Sequence, residues 1–313
     1  MTTFFSPDAA LQTTLDQIVE QVRAEFSLTP TQIAVTWVLY DPPYITNTGG
    51  ALSAEDFWQR RPRGASYRGV ELIYPASVVK LFYLVAAHEW LEQEMLAPSA
   101  ELDRALKDMI VDSSNDATSL VMDMLSGTTS GPELPAGPFA TWCHQRNIIN
   151  RFFQSLQWPE LIGININQKP WGDGPYGRER AFVGEHYENR NYLTTNAVAR
   201  LVHSIAGGVA VSATRSQTML STMQRNLTTP PPDLGEEDQV NGFLGAGLPA
   251  GTRIYSKAGY TSKVRHDAAY FELANGTPGL VVAFTEGAHP EVKSHILPRL
   301  GSLLSPHLEN CPS

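Results

Sequence analysis

Long apolar runs, basic charge and cysteine are what this 313-residue chain has least of. No stretch approaches the ~18 consecutive apolar residues that a membrane-spanning helix needs, so no span is expected. Lysine and arginine total 23 against 32 aspartates and glutamates, for a net charge of −9. A surface of that sign repels a nucleic-acid backbone and an anionic membrane alike, so neither is expected as the main partner. Only two cysteines occur, Cys143 and Cys311, and neither lies in a CxxC or Cys/His cluster. A disulfide scaffold and a zinc site are therefore not expected, and the pair reads as a small core hydrophobe and a tail thiol. His289 and His295 flank Glu291 and Lys293 without a third residue at metal-ligand spacing, so neither a metal nor another cofactor is expected.

Two further absences narrow the field. The opening MTTFFSPDAALQTTLDQIVEQVRAEF lacks the basic start and apolar run of an export signal, which reads as cytoplasmic, or as exported where a leader has been removed. No G-x-S-x-G occurs, and this argues against the strand-turn-helix nucleophile elbow of α/β-hydrolases. Internal repeats are also missing.

What is present is enough apolar material, 42% of residues, to bury one large domain or two closely packed lobes. Leu11, Leu15, Ile18, Val19 and Val22 recur at helical spacing and predict a helix over 8–26. The β-branched and aromatic run 32–40 reads as a strand, ended by Asp41-Pro42-Pro43. Residues 43–68 show no sustained period and read as irregular loop. Leu81 to Ala87 is apolar nearly all round, the pattern of a helix at the centre of a protein. Helices are expected at 99–112, 115–126 and 139–158, the last with Trp142, Phe152, Phe153 and Trp158 as core residues, after a Gly/Pro-rich break at 127–138. Residues 165–193 read as a long ordered loop, 195–205 as a helix, and 229–236 as a second Gly/Pro/Ser-rich loop. Strand-like runs at 252–258, 267–273 and 280–285, with a turn at Asn275-Gly276, precede a closing helix at 295–303. Strands at both ends and helices between them predict an α/β (α+β) fold: an antiparallel sheet formed by the N- and C-terminal segments, with an all-helical lobe inserted. The expected division is 1–68 plus 206–313 for the sheet lobe and 69–205 for the helical lobe, with the site between them.

The chemistry starts at Ser77 and Lys80, three residues apart at the head of the central helix, where their side chains share a face. A serine hydroxyl becomes a nucleophile when a neighbouring base takes its proton, and a lysine is that base if burial keeps it neutral. Ser113-Ser114-Asn115 opens a helix, and Lys257-Ala258-Gly259 ends a strand.

In this order the three elements resemble the SxxK, SDN and KTG set of class A β-lactamases and penicillin-binding proteins. Around them the resemblance extends over Met109 to Asn115, Thr194-Thr195 and Arg265 to Gly276, and takes in most of 70–126 and 190–303. It implies a β-lactamase/transpeptidase-like fold and a serine hydrolase that opens an amide, first of all a β-lactam, through an acyl-enzyme. By that resemblance Ser77 attacks, Lys80 accepts its proton, Ser113 relays a proton to the leaving nitrogen, and Asn115 binds the substrate amide. Lys257 supplies positive charge, Ala258, Gly259 and Tyr260 line the substrate, and the backbone N–H groups of Ser77 and Tyr260 form the oxyanion hole. The departures are Ser114 where the family has aspartate and Ala258 where it has a hydroxyl that holds the substrate carboxylate; Thr261, Ser262, Lys263 or Arg265 stand close enough in sequence to compensate. For the glutamate that activates the deacylating water, Glu185 with Asn189, Glu188 with Asn191, and Glu179 between Arg178 and Arg180 are the candidates. The alternatives are a peptidase, amidase or esterase with the same acylation machinery, a penicillin-binding sensor, or a non-catalytic binding descendant.

Overall fold

The computed structural model describes residues 3–40, 52–172, 174–228, 238–287 and 293–309. Asp41-Pro42-Pro43, the 229–236 loop, Cys311, His289 and Glu291, together with the side chain of Lys293, lie outside the described residues. In chain order the elements are β1 (Ser6–Pro7), α1 (Ala9–Phe26), β2 (Ile33–Leu39), α2 (Ala54–Gln59), β3 (Arg63–Tyr67), α3 (Lys80–Glu92), α4 (Ala100–Val111), α5 (Asn115–Ser126), α6 (Ala136–Arg146), α7 (Ile148–Ser155), α8 (Gly177–Val183), α9 (Thr195–Ala206), α10 (Ala213–Thr222), β4 (Gln224–Arg225), β5 (Arg253–Tyr260), β6 (Val264–Glu272), β7 (Pro278–Glu286) and α11 (Lys293–Glu309). They form two compact units, Met1–Glu71 with Thr194–Ser313, and Leu72–Leu193.

The first unit is a sheet in the order β1-β3-β2-β7-β6-β5-β4, antiparallel except where β1 joins β3. β2 is buried along its whole length, as its continuous β-branched run requires, and it pairs with β7 from Ile33 opposite Thr285 to Leu39 opposite Gly279. The two ends of the chain thus make the centre of one sheet. Asp8 caps α1 by accepting the Ala10 and Leu11 amides, and the buried face Leu11, Leu15, Ile18, Val19 and Val22 packs into one cluster with Ile296, Leu297, Leu300, Leu304 and Leu308 of α11. α9, buried almost throughout, lies on β2, β6 and β7. There Thr36 Oγ1 meets Thr195 Oγ1 and Asn196 Oδ1, each at 2.7 Å, so the polar entry to α9 is satisfied inside the core. This packing puts α9 with the sheet, and the units divide at 71/72 and 193/194, whereas the sequence assigns 69–205 to the helical lobe.

The second unit is helical. α3 is buried from Lys80 to His88 and again at Trp90 and Leu91, with α4, α5 and α7 against it. The ring of Phe82 meets that of Phe153 at 5.0 Å, and Trp90 donates to the Leu125 carbonyl. Helix 139–158 of the sequence reading is two helices, α6 and α7, broken at Asn147. The long loop 165–193 is closed at its neck by Asn165 pairing with Tyr192, and by Leu193 pairing with Ile73, and it carries α8.

Residues 54–67, expected to be irregular, contain α2 and β3, and α10 arises without a strong sequence signal. β3 lacks β-branched residues; it is a strand because β2 offers it a ladder, with Trp37 opposite Ala65. A Cβ at Gly64 would stand 2.6 Å from the Phe5 ring, so this glycine lets the N-terminal segment close on the strand. No helix among the described residues is long and apolar enough to cross a membrane, and no group of three or more His, Cys, Asp or Glu among them is placed to hold a metal ion.

Candidate active site

Ser77 lies in a single 3-10 turn, Ala76–Val79, that runs directly into α3, and it is half-buried. The residue before it, Ala76, sits at φ 46, a left-handed conformation that costs an alanine of order 1 kcal/mol. Such strain survives where packing over-determines it, and Ala76, Val78 and Val79 are all buried. Lys80, with no exposed surface, opens α3 one turn on, its amide donating to the Ser77 and Val78 carbonyls. Its Nζ donates to the carbonyl of Ser113, to Ser113 Oγ at 3.2 Å and to Asn115 Oδ1 at 2.9 Å.

Ser113, 4% exposed, occupies a left-handed position at φ 57 where the chain turns from α4 into α5. Ser114 is the N-cap of α5: its Oγ accepts the Ala117 amide at 3.1 Å and its carbonyl accepts from Thr118. A serine serves this cap as well as an aspartate does, which accounts for the departure at this position. The helix start fixed in this way sets Asn115 beside Lys80.

In the sheet unit, Lys257 is fully buried on β5, and its ammonium donates to Gln239 Oε1 at 2.6 Å and to the Ala258 carbonyl at 2.8 Å. Gln239 Oε1 also accepts from Arg225 Nη2 at 3.2 Å, and Arg225 in turn holds the Ser256 carbonyl. Ala258 faces the apolar cluster with α1 and α11 and is 1% exposed. Gly259 and the part-exposed Tyr260 continue the strand. Arg265, opposite Tyr260 on β6, lays its guanidinium 4.0 Å over the Phe243 ring and 5.4 Å from that of Tyr260, with Nε on the Gly242 carbonyl. Burial pulls its pKa down, against Tyr260, Asp267 and Asp238.

The three glutamates of the long loop fall in different surroundings. Glu179 is fully buried: Oε1 accepts from Ser130 Oγ and Arg146 Nη2, each at 2.8 Å, and Oε2 from Arg146 Nη1 at 3.3 Å. Lys169 completes this cluster by donating to Asp123 Oδ2 at 2.8 Å and Ser130 Oγ at 2.9 Å, and burial lowers its pKa. Glu185 is exposed. Glu188 is also exposed; its own backbone amide and that of His186 hold its pKa below the usual carboxylate range. Their expected amide partners turn inward. Asn189 Oδ1 accepts from Asn165 and Asn167, and buried Asn191 binds the Asn167 and Gln168 amides and Tyr83 at the loop neck.

Sequence reasoning passes over Tyr83, Gln239, Arg225 and Asp267. Tyr83 had a signal: a tyrosine in an all-apolar helix needs a partner for its hydroxyl, here the Gln168 carbonyl at 2.8 Å. Gln239 and Asp267 had none, because their partners, Lys257 and Arg225 for the one and the Leu244 amide for the other, come from distant segments.

The sequence matches the profile of a family described as the beta-lactamase enzyme family over residues 51–308. No curated protein matches it. Among solved structures, PBP-A is 17% identical with a TM-score of 0.62, over 97% of this chain and 98% of that one. A beta-lactamase from Sphaerobacter thermophilus is 17% identical with a TM-score of 0.63, over 95% and 99%. One from Chitinophaga pinensis is 13% identical with a TM-score of 0.62, over 94% and 99%.

Proposed function

The chain belongs to the beta-lactamase enzyme family, and from that premise we propose that it is a serine hydrolase that opens an amide of the β-lactam type through an acyl-enzyme on Ser77. The observation that carries the reading is Lys80, buried one turn from Ser77 and hydrogen-bonded to both Ser113 and Asn115. Three side chains named by the SxxK and SSN motifs converge there without help from any sequence signal beyond their spacing.

In this reading neutral Lys80 takes the Ser77 proton as Oγ bonds to the substrate carbonyl carbon, and the carbonyl electron pair moves to oxygen, held by the backbone N–H groups of Ser77 and Tyr260. As the C–N bond breaks, Ser113 passes a proton to the leaving nitrogen and recovers one from Lys80. Asn115 binds the substrate amide, and Lys257, steadied by Gln239, supplies positive charge. Water then cleaves the ester and restores Ser77. For that step Glu185 and Glu188 are the exposed candidates, since both oxygens of Glu179 are held by Arg146, one of them also by Ser130. With both candidates exposed, deacylation is the slower step in this reading.

Intact-protein mass spectrometry after mixing with benzylpenicillin tests this directly. The expected result is a one-to-one adduct on the wild type, decaying over minutes or longer, and none on Ser77→Ala. An adduct that survives in Ser77→Ala, or no adduct and no consumed penicillin with the wild type, overturns the assignment. PBP-A is a useful reference, because a point mutant of it has been captured as an acyl-enzyme complex with penicillin G.

A peptidase, amidase or esterase with the same acylation step is the second reading, favoured by one observation. Ala258 stands where the family places the hydroxyl that grips a substrate carboxylate.

A further inference from the structure

Asp267 lies on β6 directly opposite Ala258 on β5. Paired residues of neighbouring antiparallel strands project to the same face, so its carboxyl sits beside the Ala258 methyl. It has no exposed surface. Oδ2 accepts the Leu244 amide at 3.1 Å, and Oδ1 has no hydrogen-bond partner among the described residues. A buried polar atom without a partner is costly and calls for an explanation. The position opposite is the one where a serine or threonine hydroxyl would be a donor, and here it holds alanine.

The surroundings are basic. Lys257 adjoins Ala258 on β5, Arg225 is tied to Ser256 and Gln239, and Arg265 follows the same face of β6 two residues away. Asp238 faces Arg265 from the segment before Leu244, and Tyr260 stacks near it. β7 presents apolar Ala283 opposite Asp267, and α11 and α1 present apolar residues to this face. Among the described residues, Asp267 is a buried carboxyl within electrostatic reach of three cations, Lys257, Arg225 and Arg265.

We propose that Asp267 is a specificity-determining residue of the substrate edge of β5: ionised, it offsets the positive charge of Lys257, Arg225 and Arg265, so that the edge takes uncharged substrates in preference to carboxylates, and protonated, it lets the edge hold a carboxylate. The inference rests on the reading of β5 as the substrate strand. Its titration falls in an accessible range, because burial pushes the pKa up to about 6 against the opposing effects of the Leu244 amide, Arg225, the Ala268 amide and Lys257. Asp267 acts through the field of its neighbours and does not touch the reacting atoms.

The experiment measures equilibrium binding by calorimetry in a Ser77→Ala background, where no acylation can intervene. The probes are benzylpenicillin, whose carboxylate is ionised throughout, and its uncharged methyl ester, at about pH 5 and about pH 7.5. Benzylpenicillin is expected to bind about threefold or more tightly at the lower pH, with the ester unchanged. Adding Asp267→Asn is expected to give the tight, acid-form affinity at both pH values, with thermal melts confirming that the variant is folded. The same pH dependence for the ester, its persistence in the Asn variant, or no binding by any of these proteins overturns the inference. The acyl-enzyme reading is judged separately: an adduct on wild-type Ser77 without this binding pattern rejects the role of Asp267 alone, and the pattern without an adduct rejects the acyl-enzyme alone.

Discussion

At the scale of single residues, two buried titratable groups pull stability in opposite directions with pH. Burial holds His203, whose Nδ1 meets the Tyr40 hydroxyl at 3.0 Å and whose ring stacks on Phe57, neutral down to about 3. The unfolded chain binds a proton there at its ordinary pKa near 6.5, so this group costs stability increasingly as pH falls from about 6.5 towards 3. Asp267 has the reverse sign. Its folded pKa of about 6 lies above the unfolded value, so it destabilises by about 3 kcal/mol above pH 6 and the cost disappears as pH falls towards 3.8. Asp267→Asn should accordingly raise Tm by several degrees at pH 8, raise it little at pH 4, and leave the acid limb of the stability curve steeper than in the wild type. Calorimetry at pH 4, 6 and 8 checks this; an equal shift at all three would show that the carboxyl does not titrate in the native range.

At the scale of elements, the long loop is held to the helical unit by a buried charge network as well as by apolar residues: Ile166, Phe182 and Val183 are buried, and the Phe182 ring meets that of Trp142 at 5.3 Å. Arg146 from α6, Glu179 from α8, Asp123 from α5 and Lys169 from the loop share one buried network, with the Trp142 ring 4.6 Å from the Arg146 guanidinium. Breaking such a pair leaves an uncompensated buried charge and costs about 3–5 kcal/mol, whereas replacing both partners by apolar residues costs far less. Glu179→Ala should therefore lower stability by about that amount and open 165–193 to proteolysis, while Glu179→Leu with Arg146→Met recovers most of it. Urea denaturation and limited proteolysis read the two effects; a double variant no better than the single one would mean that the network's value is geometric rather than electrostatic.

At the scale of the whole molecule, the sheet needs both ends of the chain. β2 pairs with β7 across some 240 residues of sequence, and α11 seals the same core as α1. α11 buries Ile296, Leu297, Leu300, Leu304 and Leu308 almost completely. At roughly 1.5–3 kcal/mol each, their loss matches or exceeds the 5–15 kcal/mol by which a typical domain is stable. A chain ending before Lys293 is expected to lose its cooperative thermal transition in circular dichroism, and one that kept the wild-type melt would contradict this account of the core.

The sequence alone determined the parts whose signal is local. The spacing of Leu11 to Val22 specified α1, the β-branched run specified β2, and Ser77 with Lys80 stood one turn apart whatever the surroundings. Family membership was legible for the same reason, because three short motifs keep their order along the chain. Only the tertiary structure decided the rest. β3 is a strand because β2 lies beside it, Glu179 is a structural ion because Arg146 is brought from another helix, and Asp267 faces Ala258 because two strands pair in one register. Charge, burial and pairing between distant segments have no one-dimensional trace, so these contacts emerge only when the chain folds.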